Sequence, residues 1–273
     1  MKSRVFKSFV AAVAASLLLL PSCREDTFLT GPYTSSSGDD DSSQTGTVST
    51  SDVDPTNTED EITNTTSSYT VTITYASGSA TAAVTGDEDE AITAVDSLAI
   101  SIDGAGVTVT NESSNVIRYV LKGSSSSGFF KLYSDRKQVI ELSDLTLTGS
   151  NGAAVNNQSG KRTFIVLTGT NKLADGGTYA TATLSDGSIE DCRGVLFSEG
   201  QLCFSGDGSL SVTASAASGK GGIFSDDYVR FLGGSVTVNA SKGHGIRGKD
   251  AVIVSDGTVS VTCSADGKKA ITT

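Results

Sequence analysis

Apolar and polar positions alternate in short runs along most of the chain, and no window carries the three-to-four spacing of an amphipathic helix. Val71, Ile73 and Tyr75 alternate with threonines, and comparable runs follow in SLAISIDGAGVTVTN, NVIRYVLKG, GFFKLYS, KQVIELSDLTLTG, AAVNNQS and TFIVLTGTNKL. Bounded by Gly, Asn, Asp and Ser, these read as strands. From residue 194 the alternation becomes periodic: a turn of small residues, an aliphatic anchor, a short strand, a Gly and a second strand. The anchors Leu196, Ile223, Ile246 and Ile271 are separated by 27, 23 and 25 residues, and a Gly-Ser/Thr-Leu/Val-Ser/Thr-Val element returns in step at 208–212, 234–238 and 257–261. A repeat of that length signals a solenoid.

One such unit cannot bury its apolar face alone, so it stacks on its neighbours, with equivalent strands about 4.8 Å apart in parallel ladders. The pattern therefore predicts an all-β, right-handed parallel β-helix over 67–273, the hand following from the usual crossover preference. All three prolines, Pro21, Pro32 and Pro55, precede the strands, so no ladder loses a donor. The strands from 67 are expected to cap the first coil, whose edge would otherwise stay open. Residues 174–192 interrupt the repeat and are predicted to form an inserted loop. The last unit, KKAITT, stops part-way through a repeat without a recognisable cap, as a shortened or truncated array would.

The first 66 residues follow no strand pattern. Lys2, Arg4 and Lys7 precede FVAAVAASLLLL, too short an apolar run to span a bilayer comfortably, and Leu20-Pro21-Ser22-Cys23 follows. This resembles a bacterial lipobox, which implies a signal peptide over 1–22 and lipidation of Cys23; the alternative is an ordinary secretory signal with an incidental Cys. Arg24-Glu25-Asp26 looks like the export signal of Bacteroidetes-type lipoproteins, implying a lipid-anchored outer-membrane protein at the cell surface. Residues 23–66 are nearly devoid of apolar side chains and are predicted to form a disordered acidic tether. Ten of the 31 acids lie between 23 and 62 against a single base, so the net charge of −11 belongs largely to this tether and says little about the partner. With that extracytoplasmic address, nucleic acid is not expected as a partner.

The runs LTLTGSNGAAVNNQSGKRTFIVLTGTNKLADG, GVLFSEGQLCFSGDGSLSV and HGIRGKDAVIVSDGTVSV resemble the carbohydrate-binding β-helix domain of bacterial lipoproteins, a family named for pectin-binding proteins similar to pectate lyases. The resemblance covers 67–273. It implies a pectate-lyase-type β-helix that binds polysaccharide, uronic-acid polymers among them, with calcium held by acidic turn residues.

With one His and no Cys pair at ligand spacing, zinc sites and nucleophilic triads are excluded. Asp227 and Asp250 each follow their anchor by four residues, which stacks them on adjacent coils. With Asp226 they form either part of a calcium site or solvated turn acids. Where the family reads acids before the anchor, this chain has Lys220, Lys242 and Lys268, three, four and three residues ahead of Ile223, Ile246 and Ile271. Together with His244, Arg247 and Lys249 they form a basic edge that either binds a polyanion or is simply solvated. There is no Trp, and only Tyr133, Tyr179 and Tyr228 fall on a late coil or its loop, so recognition is expected to rest on charge and on Asn156, Asn157 and Gln158. Cys192 and Cys203 could pair, although Cys203 and Cys263 read better as small buried residues. Three functions follow: a monomeric, surface-anchored, non-catalytic binder of acidic polysaccharide; a polysaccharide lyase with Arg247 or Lys249 as base and a cation on Asp227 and Asp250; or a structural stalk. The first is the expectation.

Overall fold

The structure, a computed structural model, describes residues 25–30, 47–49, 53–86, 88–184 and 187–273. Strands account for almost all of its regular structure, with two short 3-10 turns at Thr58–Asp60 and Ile62–Asn64. From the strand Gly106–Asn111 onward the chain winds into a parallel β-solenoid of three sheets. In one coil these are Gly194–Ser198, Leu202–Gly206 and Ser209–Ala214, here called sheets one, two and three.

The repeat read from the sequence is the register of the ladder. In sheet one, Val107, Phe130, Val155, Leu196, Ile223, Ile246 and Ile271 stack in a single column. All but the terminal Ile271 are fully buried or nearly so. Sheet two stacks Ile140, Ile165, Phe204, Phe231 and Val254, with the Phe204 and Phe231 rings 4.7 Å apart. Sheet three stacks Leu147, Leu173, Val212, Val238 and Val261. Apolar side chains at alternate positions of every strand thus meet along one axis and make one continuous core. The corner between sheets two and three needs left-handed backbone in every coil. Glycine supplies it at Gly206 (φ 97°), Gly234 (φ 80°) and Gly257 (φ 85°), and Asp144 (φ 49°) occupies it in an earlier coil.

The N-terminal cap is a pair of hairpins. Tyr69–Ala76 pairs antiparallel with Ser79–Thr85, and Leu98–Asp103 with Gly106–Asn111. One strand of each then passes into the parallel array.

Of the 23–66 segment before the cap, expected to form a disordered tether, the described stretches 25–30, 47–49 and 53–66 lie against the solenoid. At the other end of the solenoid, Glu25–Thr30 and Thr47–Ser49 add antiparallel to the free side of Ala251–Cys263, so this last long strand has partners on both sides. Residues 53–66 then run as a strap over the outer surface of sheet two. That surface carries an unusual outward column, Val139, Phe164, Cys203, Arg230 and Ile253, which would expose apolar side chains without cover. Val53 and Ile62 pack on it. Asp60 is fully buried between Arg162 Nε (2.8 Å) and Arg230 Nη1 (2.9 Å), and its Oδ1 also accepts from Tyr228 Oη at 2.6 Å. Low hydrophobicity misleads here because one ion-paired acid and two apolar anchors suffice to dock the segment. The signal segment and Cys23 lie outside the described residues.

Candidate functional site

The predicted basic edge lies where the late coils turn into sheet one. Ile223, Ile246 and Ile271 are in register, so Lys220 and Lys268, each three residues ahead, hold equivalent places. In the coil between them that place belongs to Gly243, and Lys242 sits one residue earlier in an exposed turn. The lysine column is therefore staggered, a correction to the even ladder expected. Arg247 occupies the outward position of sheet one beside Phe224 and Thr272, and Lys249 and Lys268 are exposed. His244 reports how closely these cations crowd together. Burial first, then the charges of Lys268, Arg247 and Lys269, hold its imidazole below the ordinary value, while Nδ1 accepts from the Lys269 backbone N–H at 3.0 Å.

The acidic trio is divided. Asp227 and Asp250 do lie on adjacent coils, joined by a backbone hydrogen bond of 3.2 Å. Burial pushes the Asp227 carboxyl up and the Asp250 charge adds to this, against a hydrogen bond from the Tyr228 N–H. Gln201 Nε2 donates to the other Asp227 oxygen at 2.6 Å. Asp226 turns instead to Arg193, 3.2 Å away. Among the described residues no three His, Cys, Asp or Glu side chains gather as a metal site. Calcium needs six or more oxygens, and Asp226, Asp227 and Asp250 do not fit that requirement.

Lys220 leaves the open edge altogether. Its ammonium lies 5.3 Å from the centre of the Tyr179 ring, on the inserted loop. That insertion, 175–193, is pinned at both ends by buried acids. Asp175 accepts from the Ser215 N–H (2.7 Å) and Ser218 Oγ (2.5 Å). Glu190 reaches back to sheet one and accepts from Lys131 Nζ (2.7 Å), Tyr133 Oη (2.5 Å) and Asn156 Nδ2 (2.9 Å). Burial alone would raise the Glu190 carboxyl, but these donors outweigh it and hold it below the usual carboxylate range. Between the pins the chain forms a hairpin, with a bridge from Thr183 to Ile189 and a hydrogen bond from Glu190 N–H to the Ala182 carbonyl.

The Ala180 N–H donates to the Asn151 carbonyl at 3.0 Å, and two cavities adjoin the hairpin. One, of about 220 Å³, lies against sheet one and is lined by Lys131, Asn151 and Asn156; the other, of about 490 Å³, lies against the turn carrying Ser218 and Lys220. Tyr179, Ala180, Thr181, Glu190 and Cys192 line both. Burial pushes the Cys192 thiol up to about 12, so at neutral pH it stays protonated and is a poor nucleophile. Cys192, Cys203 and Cys263 are all free thiols. Cys263 belongs to the solenoid core, and Cys203 is buried beneath the strap.

The family model for carbohydrate-binding domain-containing proteins matches residues 103–272, more than half of the chain. The chain belongs to this family. The match begins at the second cap hairpin and takes in every coil of this carbohydrate-binding domain, the insertion included. Among solved structures the chain is similar to the polysaccharide lyase-like protein from C. thermocellum, solved as a gadolinium derivative, at 21% identity and a TM-score of 0.52. The likeness covers 66% of this chain and 64% of that protein, so the chain spans less than two thirds of that neighbour. At that identity the comparison speaks for the fold. No curated protein matches.

Sequence reasoning singled out Tyr133, Tyr179 and Tyr228 with Asn156, Asn157 and Gln158; Tyr228 is instead buried against Asp60 and Asn157 between Thr163 and Ser198, and Lys131, Asp175 and Glu190 were missed. The interrupted repeat was the one signal for them, since a loop inserted into a solenoid must be fastened by its own polar contacts.

Proposed function

We propose that this domain is a non-catalytic binder of acidic polysaccharide, held at the cell surface through a lipid on Cys23. The observation that carries this reading is the placement of basic residues on two adjacent coils: Arg247 on the outward face of sheet one beside Thr272, and Lys268 and Lys269 in the turn of the next coil, whose Lys269 N–H donates to His244 Nδ1 at 3.0 Å. Cations carried by adjacent coils of a rigid ladder meet a polyanion with little reordering of the backbone on the protein's side. Each exposed pair is weak, so affinity comes from repetition and falls as salt is raised. The lyase alternative needs a cation on Asp227 and Asp250 to acidify the proton that a base removes, and the hydrogen bonds that both Asp227 oxygens already accept, from Gln201 Nε2 and the Tyr228 N–H, argue against it.

Affinity electrophoresis in a polygalacturonate gel tests the proposal. The parent protein should be retarded at low salt, with or without EDTA. The triple variant Lys242→Gln, Arg247→Gln, Lys268→Gln should migrate as in a gel without polymer. Retardation that EDTA removes, or that the triple variant keeps, would sink the basic-edge reading. Growth of ultraviolet absorbance from unsaturated product in a polygalacturonate solution would establish the lyase instead.

A further inference from the structure

The cleft around the inserted hairpin is a second place where a saccharide can be held, and its geometry differs from that of the edge. The Tyr179 ring has two close neighbours. One is the backbone of Gly152, whose φ of 145° suits glycine and where an added Cβ would stand 3.4 Å from ring atom Cδ1. The other is the Lys220 ammonium, over the ring at 5.3 Å from its centre. Lys131, the other cation lining the cleft, is already paired with Glu190. Among the described residues the Lys220 ammonium has a ring face and no carboxylate for a partner, and a ring face is a weaker hold than a carboxylate exerts through a charge-assisted hydrogen bond.

We propose that this two-lobed cleft is a discrete subsite for an acidic sugar at a chain end or branch, with Lys220 moving from the Tyr179 ring to the sugar carboxylate. It rests on the carbohydrate-binding reading above and deepens it. A uronate entering beside Tyr179 supplies the ammonium with a stronger partner and uncovers the ring face for the apolar side of the sugar. Asn151, exposed in the lobe against sheet one, offers its amide to hydroxyl groups, while Asn156 beside it is already bonded to Glu190 and Gln158. A neutral sugar gives Lys220 nothing in exchange for the ring, so the subsite selects for charge. The hairpin stands between the lobes, so a polymer lying along the solenoid would have to cross it; a chain end or side branch enters without that obstacle.

Isothermal titration with trigalacturonate and with its carboxyl-reduced, neutral analogue tests this. Trigalacturonate should bind the parent, and at least tenfold more weakly the variants Lys220→Gln and Tyr179→Ala. The reduced analogue should bind parent and Lys220→Gln alike. The triple edge variant should keep trigalacturonate binding while losing retardation on the polymer gel, which separates the two sites. Retained polymer retardation in that variant, with trigalacturonate binding lost in Lys220→Gln, would remove the edge and leave the cleft. Equal affinity of the parent for both trisaccharides, or unchanged binding by Lys220→Gln, would overturn the subsite. A measurement without substitution guards against a loosened hairpin. Tyr179, Ala180, Thr181, Glu190 and Cys192 line both lobes. Saturating trigalacturonate should therefore slow amide hydrogen exchange across residues 177–184 and 187–192 of the parent, and an unchanged rate would place the sugar elsewhere.

Discussion

Ile246 shows what a single side chain contributes in a stacked array. It is fully buried and has Ile223 below it and Ile271 above in the same column. Because backbone hydrogen bonds fix the coil spacing, the neighbours cannot close in on a cavity, and Ile246→Ala should cost about 2–5 kcal/mol in denaturant unfolding. A loss within about half a kilocalorie, as for a surface site, would mean that the column is not packed as described. His244 supplies a different measurement. Its imidazole titrates below the ordinary value in the folded protein, chiefly through burial and then through the charges of Lys268, Arg247 and Lys269. Between the folded value and about 6.5 the unfolded chain binds the proton that the folded protein refuses, so stability falls on acidification through that window and is fully present above it. Thermal melts of the parent should show this loss, and His244→Gln should lose less over the same range. A bound polyanion reverses the balance by favouring the imidazolium. Retardation on the acidic gel should therefore strengthen as pH falls below about 6.5 while the polymer stays ionised, and His244→Gln should abolish that increment.

At the scale of an element, the strap is the part whose sequence most belies its role. Residues 53–66 would be read as solvated, yet Asp60 is buried between two arginines and a tyrosine. Removing one partner from a buried ion pair typically costs 3–5 kcal/mol, because the remaining charge is left without compensation. Arg230 would be that charge, with its side chain only 6% exposed. In Asp60→Ala the strap should lift while the solenoid beneath remains folded, since the columns of its core do not involve the strap. A glutamate-specific protease should then cut at Glu59 and Glu61 much faster than in the parent and leave a resistant fragment beginning near residue 62. Equal cleavage of parent and variant would show that the strap does not depend on Asp60.

For the whole molecule, the strap changes what an anchor at Cys23 would mean. The chain that follows Cys23 meets the solenoid first at its C-terminal edge, where Glu25–Thr30 pairs with Ala251–Cys263, and only later enters the first coil. An anchored protein would therefore present its last coils, with the basic edge, nearer the membrane than its cap. Cys23→Ser should move the protein from the membrane to the soluble fraction with its thermal unfolding unchanged. Membrane partitioning that survives this variant would dispose of the lipid anchor.

The coil was legible in the sequence because its physics is local and repeated. Every unit must place its apolar residues at alternate positions and turn its corners through left-handed backbone, which glycine supplies in the late coils, so Leu196, Ile223, Ile246 and Ile271 announced both the fold and the register. The adjacency of Asp227 and Asp250 followed from the same count. What the tertiary structure decided are contacts between residues far apart in the chain, for which no period exists. Asp60 finds Arg162 and Arg230 across more than a hundred residues, and Glu190 finds Lys131 across 59. Lys220, placed by its spacing on an open edge, is drawn to Tyr179 by an insertion that the repeat does not encode. A ladder transmits its spacing to every side chain that points along it. The direction of a charged side chain at a turn depends instead on which partner the fold brings within reach.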